Sequence, residues 1–450
     1  MRIELGVPLT LKQISDMCGG KTMIGEDPII RHISTDSRTL YPDDLFISLY
    51  GSRFNGDDFI LAAKKIGAYV LSSRKNECDI FHENTRAALL HLAHSYKESL
   101  PYLLYNIAIT GSVGKTTTKE FLKLLLSGKY PTHASRENHN NEIGMPMSIL
   151  EAKQDTKALI MEMGMNSLGE ISRLSKCLEP SIAVITNIGT AHIGKLGSRN
   201  AIARAKLEVT DGMKNGILLY PKDEELIVYQ GRKKTFSKTN PNADYFIKRT
   251  ADDQVEIQSR DKAILSSRFD LWEDYHLDCL VSAVGSAIEA EVCPQDISER
   301  ISYISRVNTR QKVISTSKYI FYSDCYNASL ESMLAVISAF SKSNIQGKKS
   351  LLLGDILELG DHRRDIHMSI GKAINRETVN NLFLFGNHSY EIGLGAIKNN
   401  FPVERIFTVT NESTPQAIAS LISLHCDEGE HILMKASRGI MLEKVLNYFL

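Results

Sequence analysis

No stretch of the sequence approaches the ~18–20 consecutive apolar residues that a bilayer-spanning helix needs, so membrane insertion is not expected. The opening Met1-Arg2-Ile3-Glu4-Leu5 lacks the apolar core of a secretory leader. A charge surplus is also missing: 53 Lys and Arg balance 53 Asp and Glu. A broad binder of phosphate backbones carries a basic excess, so nucleic acid is not an expected partner, although a local basic pocket is compatible with zero net charge. The seven cysteines (Cys18, Cys78, Cys177, Cys279, Cys293, Cys325 and Cys426) are scattered and odd in number, with no CxxC or zinc-ligand spacing. Free thiols in a reducing compartment follow, and a cytoplasmic protein is expected. Fixed-period repeats and low-complexity tracts are absent.

What is present is an ordinary folding composition. The 450 residues are 43% hydrophobic and 24% charged. At roughly 100–200 residues per domain, that length suggests about three domains, each able to bury a core. The texture agrees. Residues 1–100 mix short strand-like runs such as Asp44 to Leu49 with polar turns, and a helical run from Asn84 is halted by Pro101. Residues 101–310 alternate apolar strands (Asn106 to Thr110, Leu159 to Met161, Ile182 to Ile185, Ile217 to Leu219) with helical segments. Residues 311–450 repeat that alternation through Ile320 to Tyr322, Ser350 to Leu353, Leu382 to Phe385, Arg405 to Val409 and Ile432 to Met434. Such alternation predicts an α/β class with mainly parallel sheets covered on both faces, the last unit Rossmann-like.

The strongest chemical signal is Gly111-Ser112-Val113-Gly114-Lys115-Thr116-Thr117, which follows a strand and opens a helix. Glycines let backbone N–H groups close around phosphate oxygens, and the helix N-terminus adds positive potential. In such a loop Lys115 reaches the β- and γ-phosphates and the Thr116 hydroxyl sits on Mg²⁺. Ile109 stands where the strict motif has its first glycine, so the match is the shorter G-x-x-G-K-T-T form. A GTPase would add a guanine-reading Asn-Lys-x-Asp, and the chain has no Asn-Lys pair.

Three residues downstream are shaped for a metal-assisted phosphoryl transfer. Glu162 ends an apolar strand, His192 follows the next one, and Lys206 lies on the helix after that. Strand C-terminal ends are where open α/β sheets bind ligands. A carboxylate and a neutral imidazole suit a divalent cation near phosphate. Singly, each has a plainer reading: a solvated glutamate, a hydrogen-bonded turn histidine, a surface lysine. Successive strands aiming polar groups at one side of one loop favour the site.

The chain resembles the Mur ligases over essentially its whole length. The stretches are Asp36-Ser37-Arg38-Thr39; Thr110 to Lys119; Asn138 to Pro146; Gly164-Met165-Asn166 with Gly169-Glu170-Ile171; Thr186 to His192; Ala203 to Lys206; Asp324 to Ala328; Gly354 to Gly360; and Lys435 to Arg438. Gly164 to Ile171 and Gly354 to Gly360 point to the branch that joins D-alanyl-D-alanine to UDP-N-acetylmuramoyl tripeptide. The resemblance implies a UDP-substrate domain, a central phosphate-loop ATPase domain and a closing Rossmann-like domain that binds the incoming amine. It implies an ATP-dependent ligase using Mg²⁺ and an acyl phosphate in cytoplasmic peptidoglycan precursor synthesis, acting as a monomer. It assigns ATP to the loop with Asn141, Arg310 and Asp324. Mg²⁺ goes to Thr116, Glu162 and His192, and to Lys206 once that lysine is carbamylated. Ser37 and Arg38 take the UDP part; Asn327, Lys435, Ser437 and Arg438 take the amine substrate. A Mur-type relative using another amine, or a non-catalytic protein keeping the fold, are the alternatives; the latter should have lost Lys115, Glu162 or Lys206, and none is lost. The pattern differs where two asparagines usually stand, at Leu277 and Leu280, at Glu137, at Ser329-Leu330 and at Gly56-Asp57. The two leucines predict fewer base-edge hydrogen bonds and weaker purine discrimination.

Overall fold

The computed structural model describes all residues except 52–53, 252, 260–261, 270–274, 305–311 and 411–414. Three sheets follow one another along the chain, of six, nine and six strands. In the first, Ile29–Ser34, Leu45–Ile47, Tyr69–Ser72 and Ile80–Phe81 run parallel, with Arg2–Thr10 antiparallel at one edge and Lys21–Thr22 at the other.

In the second sheet the strand Tyr105–Thr110 lies between Ile182–Ile185 and Ala158–Glu162, both parallel to it. These strands are buried on both faces, which is why they read as continuous apolar runs. The register sets Ile109 beside Glu162 and Thr110 beside Ile185, so three strand ends finish at one level. Connections leave this central strand in both directions, and the crevice at such a switch point is where ligands bind. Beyond Ile217–Pro221 and Lys233–Ser237, the sheet continues through Tyr245–Ala251, Gln254–Ser259 and Lys262–Arg268, the last two pairings antiparallel. Sequence patterning had not separated these strands: they alternate polar and apolar residues on a half-solvated edge and lack the apolar-run signal.

The third sheet is parallel from Ile320–Asp324 through His431–Lys435, Lys349–Gly354 and Leu382–Phe385 to Ile406–Val409, with Lys312–Ser315 antiparallel at its edge. Asp324 and Lys435 are register partners at the ligand-facing end.

The helix Thr85–Glu98 joins the first unit to the second. Asn84 caps it, its side chain accepting from the Arg86 and Ala87 N–H groups. The buried face carries Ala88, Leu89, Leu92, Ala93 and Tyr96 and packs on helices Leu11–Cys18 and Gly144–Leu150. Tyr96 donates its hydroxyl to the Ala152 carbonyl at 2.6 Å, and Lys97 Nζ donates to Leu178 O at 3.0 Å. Among the described residues no helix is long and apolar enough to cross a membrane. All seven cysteines are free, and all but Cys293 are buried.

Candidate active site

The loop Gly111 to Gly114 leaves the central strand and feeds the helix Lys115–Leu126. Gly111 has φ 146°, and a Cβ there would stand 1.8 Å from Thr186 Oγ1, so only glycine fits. Thr186 in turn donates to Val113 O at 2.6 Å. The Ser112 and Val113 N–H groups both donate to Asn187 Oδ1, at 2.9 and 3.0 Å. The anion seat is therefore narrower than the sequence suggested: the amides of Ser112 and Val113 already serve Asn187. Further donors belong to the first turn of the following helix, whose N–H groups have no intrahelical acceptors. Lys115 Nζ rests on the Gly111 carbonyl at 2.8 Å, which holds the ammonium over the loop mouth.

Glu162 is only 1% exposed. Its Oε2 accepts from the Thr116 hydroxyl at 2.7 Å and its Oε1 from Asn140 Nδ2 at 3.1 Å. A hydroxyl and a buried carboxylate fixed beside a phosphate loop are hard oxygen donors of the kind Mg²⁺ takes, so these residues fit that ion. Asn141 is not part of this arrangement. Its side-chain oxygen accepts from the N–H groups of Ile143 and Gly144, ordering the start of the helix Gly144–Leu150, and it lines neither cavity described below. Asn141 was expected at ATP; the side chain of this pair that reaches Glu162 is that of its neighbour Asn140.

His192 adopts φ 66° and presents Nδ1 to Glu358 Oε2 at 2.9 Å. Burial draws its pKa below the usual imidazole range against the pull of Glu358, and the charges of Lys206 and Lys115 push the same way as burial. The ring is therefore neutral near pH 7, as a metal ligand must be. Lys206, on the helix Arg199–Leu207, is 2% exposed rather than at the surface. Its pKa falls well below the ordinary lysine value, first through burial and then through the nearby Lys115 charge. It makes no hydrogen bond or ion pair among the described residues.

A cavity of about 390 Å³ opens in front of the loop. One wall is Ser112 to Thr117 with Glu162 and Asn187; another is Pro221, Phe236, Lys238, His276 and Asp278; Asp324, Asn327, Glu331 and Lys435 close it from the third unit. A second cavity, of about 480 Å³, carries Asn166, His192, Tyr326, Glu358, Ser437 and Arg438. The two share Ala191 and Asn327 to Ser329 as walls, so they adjoin.

The remaining predicted residues divide. Asp324 reaches the first cavity. Lys435, expected at the amine substrate, lines the first cavity and not the second; its Nζ lies 2.6 Å from Asp324 Oδ2 and donates to Asn327 O at 3.0 Å. Asn327, Ser437 and Arg438 do line the second. Ser37 and Arg38 form a turn on the first unit, Arg38 paired with Asp36 at 2.7 Å, and line neither cavity. Arg310 lies outside the described residues. Leu277 and Leu280 are packed into the core, and His276 and Asp278 on the same helix reach the cavity instead, Asp278 2.8 Å from Lys238 Nζ. Asn187, Asn140, Asp278, Lys238 and Glu358 were not singled out from the sequence. Asn187, Asn140 and Glu358 lie within the matching stretches Thr186 to His192, Asn138 to Pro146 and Gly354 to Gly360, and that was their readable signal. A separate cluster of ligand-type side chains, His94, Glu98 and Glu179, carries no metal signal, because Lys97 Nζ stands 2.7 Å from Glu98 and 3.8 Å from Glu179 and already supplies the cation.

This geometry has relatives. Residues 109–285 match the Mur ligase middle domain, and residues 309–438 match the family model described as Mur ligase, glutamate ligase domain. The Bacillus subtilis UDP-N-acetylmuramoyl-tripeptide–D-alanyl-D-alanine ligase is 34% identical over 97% of each chain. A crystal structure of MurF from Acinetobacter baumannii superimposes with a TM-score of 0.87, at 26% identity over 99% of both chains. The MurF ligase from Thermotoga maritima in complex with ADP gives a TM-score of 0.78, at 26% identity over 93% of this chain and 96% of that one. With a phosphate loop, a buried carboxylate and a sequestered lysine at one sheet edge, and whole-chain similarity beyond them, the chain belongs to the Mur ligase family, on its MurF branch.

Proposed function

We propose that this chain is the ATP-dependent ligase that adds D-alanyl-D-alanine to UDP-N-acetylmuramoyl tripeptide in peptidoglycan precursor synthesis. The observation that carries this reading is the pair of adjoining cavities. With the phosphates of a nucleotide at Lys115 to Thr117 in the first cavity, the shared wall at Asn327 to Ser329 would lie between that nucleotide and the second cavity. A peptide carboxylate in the second cavity would meet it there.

The reaction then needs two displacements. The carboxylate oxygen attacks the γ-phosphorus, and ADP leaves with the electrons of the broken P–O bond. The dipeptide amine attacks the acyl carbon, loses a proton, and inorganic phosphate departs as the amide forms. Positioning and charge neutralisation supply most of the acceleration in such transfers. Lys115 and the first-turn amides hold the phosphates. Thr116, Glu162 and His192 would hold Mg²⁺, which when bound offsets phosphate charge. Lys206, as a carbamate, would add a further anion on the metal side. Asn327, Ser437 and Arg438 face the amine substrate; Ser37 and Arg38 hold the UDP part on the 1–100 domain. The 311–450 domain closes on the 101–310 domain and excludes water that would hydrolyse the acyl phosphate. We place the enzyme in the cytoplasm as a monomer.

Amine-dependent phosphate release from ATP tests the reading. With UDP-muramoyl tripeptide, D-alanyl-D-alanine should exceed any single amino acid by at least about 10²-fold in kcat/KM, since unpaired polar groups in a site built for the dipeptide penalise the shorter amine. Joining of lysine or diaminopimelate to a UDP-muramoyl dipeptide instead would overturn the substrate and leave the ligase chemistry standing.

The base end of the cavity gives a second measurable expectation. Asp278 is a carboxylate acceptor suited to the 6-amino group of adenine and repelled by the 6-oxo group of guanine. Asp278→Ala should lower the ATP-to-GTP ratio of kcat/KM by about 10-fold, the ~1.5 kcal/mol of one hydrogen bond to a charged group. An unchanged ratio would mean that other groups read the base.

A further inference from the structure

Two carboxylates of the third unit grip the short segment that carries His192. Glu331 accepts from the Thr190 N–H at 2.8 Å and from the Thr190 hydroxyl at 3.2 Å. On the other side, Glu358 places Oε2 2.9 Å from His192 Nδ1 and Oε1 2.7 Å from Lys195 Nζ. An exposed ion pair alone would signify little. Here the backbones are fitted to each other as well. The Gly194 N–H donates to Glu358 O at 3.1 Å, and a Cβ on Gly194 would stand 2.5 Å from both Glu358 O and Gly360 N. Glu358 and His192 both hold left-handed backbone, at φ 63° and 66°, uncommon for such residues unless the surroundings fix them.

The segment that carries Glu358 is braced from behind. The Ile356 N–H donates to His367 Nε2 at 3.0 Å, so His367 keeps its proton on Nδ1 and directs it to Glu391 Oε2 at 3.2 Å. Arg363 pairs with the same Glu391. The Leu357 N–H donates to Ser437 Oγ at 3.0 Å. Glu358 is thus presented by a stiff support, as a group that must orient another requires.

We propose that Glu358 is a positioning residue for His192. A carboxylate accepting at Nδ1 fixes the proton there and leaves the Nε2 lone pair as the metal donor, ring orientation included. Because Glu358 belongs to the third unit, His192 is fully oriented only while that unit is docked. Reciprocity then requires metal binding to favour docking by the same factor. The inference rests on the proposed role of His192 as a metal ligand.

Mn²⁺ is the probe, titrated by electron paramagnetic resonance into the full chain with a non-hydrolysable ATP analogue present. Glu358→Ala should weaken Mn²⁺ binding by about 10–100-fold, the range for loss of a partner that orients a metal-bound histidine. Combined with His192→Ala, it should add nothing further, since it acts through that ring. Glu358→Gln, which keeps an acceptor oxygen, should recover part of the loss. Lys195→Met, which removes the accompanying ion pair and a 3.3 Å hydrogen bond to Asn166, should change affinity less than about 3-fold. In ¹⁵N-histidine spectra, the His192 signal should report a proton on Nδ1 in the parent and lose that preference in Glu358→Ala. Melting curves of the metal-free variants identify any that fail to fold, and Glu358→Gln then carries the comparison. If His192→Ala weakens Mn²⁺ binding while both Glu358 variants match the parent, or if the losses multiply in the double variant, the positioning role is wrong. If His192→Ala leaves Mn²⁺ binding intact, the ligand assignment fails and takes this inference with it.

Discussion

Lys206→Arg should abolish ligation, with a fall in kcat on the order of 10²–10³-fold, as when a fixed charge that stabilises the transition state is lost. The side chain is 2% exposed, and both its burial and the neighbouring Lys115 push its pKa far down. Burial and Lys115 thus favour the neutral amine over the ammonium, and a neutral amine adds CO₂ with loss of one proton to give a carbamate. That converts a group that would repel a metal into one that attracts it. Guanidinium stays charged and cannot form the carbamate. Lys206→Ala should lose activity comparably but recover part of it with formate or acetate, which can fill the vacated anion position. The affinity for the UDP-linked substrate should change little in either variant. The pH dependence has a definite sign. Protonation removes the reactive amine, so CO₂-dependent activity is retained above the lowered Lys206 pKa and lost as pH falls through it. Full activity in Lys206→Arg, or in enzyme rigorously freed of CO₂, would return Lys206 to a structural role.

Lys115→Ala should remove ligation on the same scale while leaving the fold intact. Its ammonium donates to the carbonyls of Gly111 and Ser112, and the helix behind it is anchored by Phe121, Leu122, Leu125 and Leu126. Alanine is a good helix former at that position, so the unfolding free energy should move by less than about 1 kcal/mol. The loss should appear mainly in kcat, because charge on the γ-phosphoryl group changes as the reaction proceeds and the ammonium sits at that end of the nucleotide. Turnover within a few-fold of the parent would remove Lys115 from the proposed mechanism. A large drop in melting temperature would show that it holds the loop instead.

Much of this was legible because buried parallel strands advertise themselves. Asn106 to Thr110, Leu159 to Met161 and Ile182 to Ile185 are continuous apolar runs, and each is followed within a few residues by a group that reaches the site: Lys115, Glu162 and His192. Order along the chain placed those groups at one sheet edge. What it could not supply were pairings between distant segments. Asn187 meets Ser112 across 75 positions, and Glu358 meets His192 across 166. Asn140 and Asn141 are adjacent and chemically identical; only the start of the helix Gly144–Leu150 decides which one caps and which one turns to Glu162. Lys435 looked available for a substrate because Asp324, its partner on a neighbouring strand, lies 111 positions away. The leucines at 277 and 280 follow the spacing of a helix face directed at the core, so the chemistry of that helix passed to Asp278 on its other side.

The grip of Asn187 and Thr186 on residues 111–113 bears on how fast nucleotide exchanges. Fixing a backbone residue costs about 1–2 kcal/mol of conformational entropy. In this loop much of that ordering belongs to folding, because the Asn187 side-chain oxygen and the Thr186 hydroxyl hold the turn. Spent product can then depart without collapse of the cradle, and the next nucleotide meets a finished surface instead of inducing one. Amide hydrogen exchange at Ser112 and Val113 should be equally slow with and without ADP. Asn187→Ala should make it fast in the empty enzyme alone and slow the rate at which nucleotide is captured.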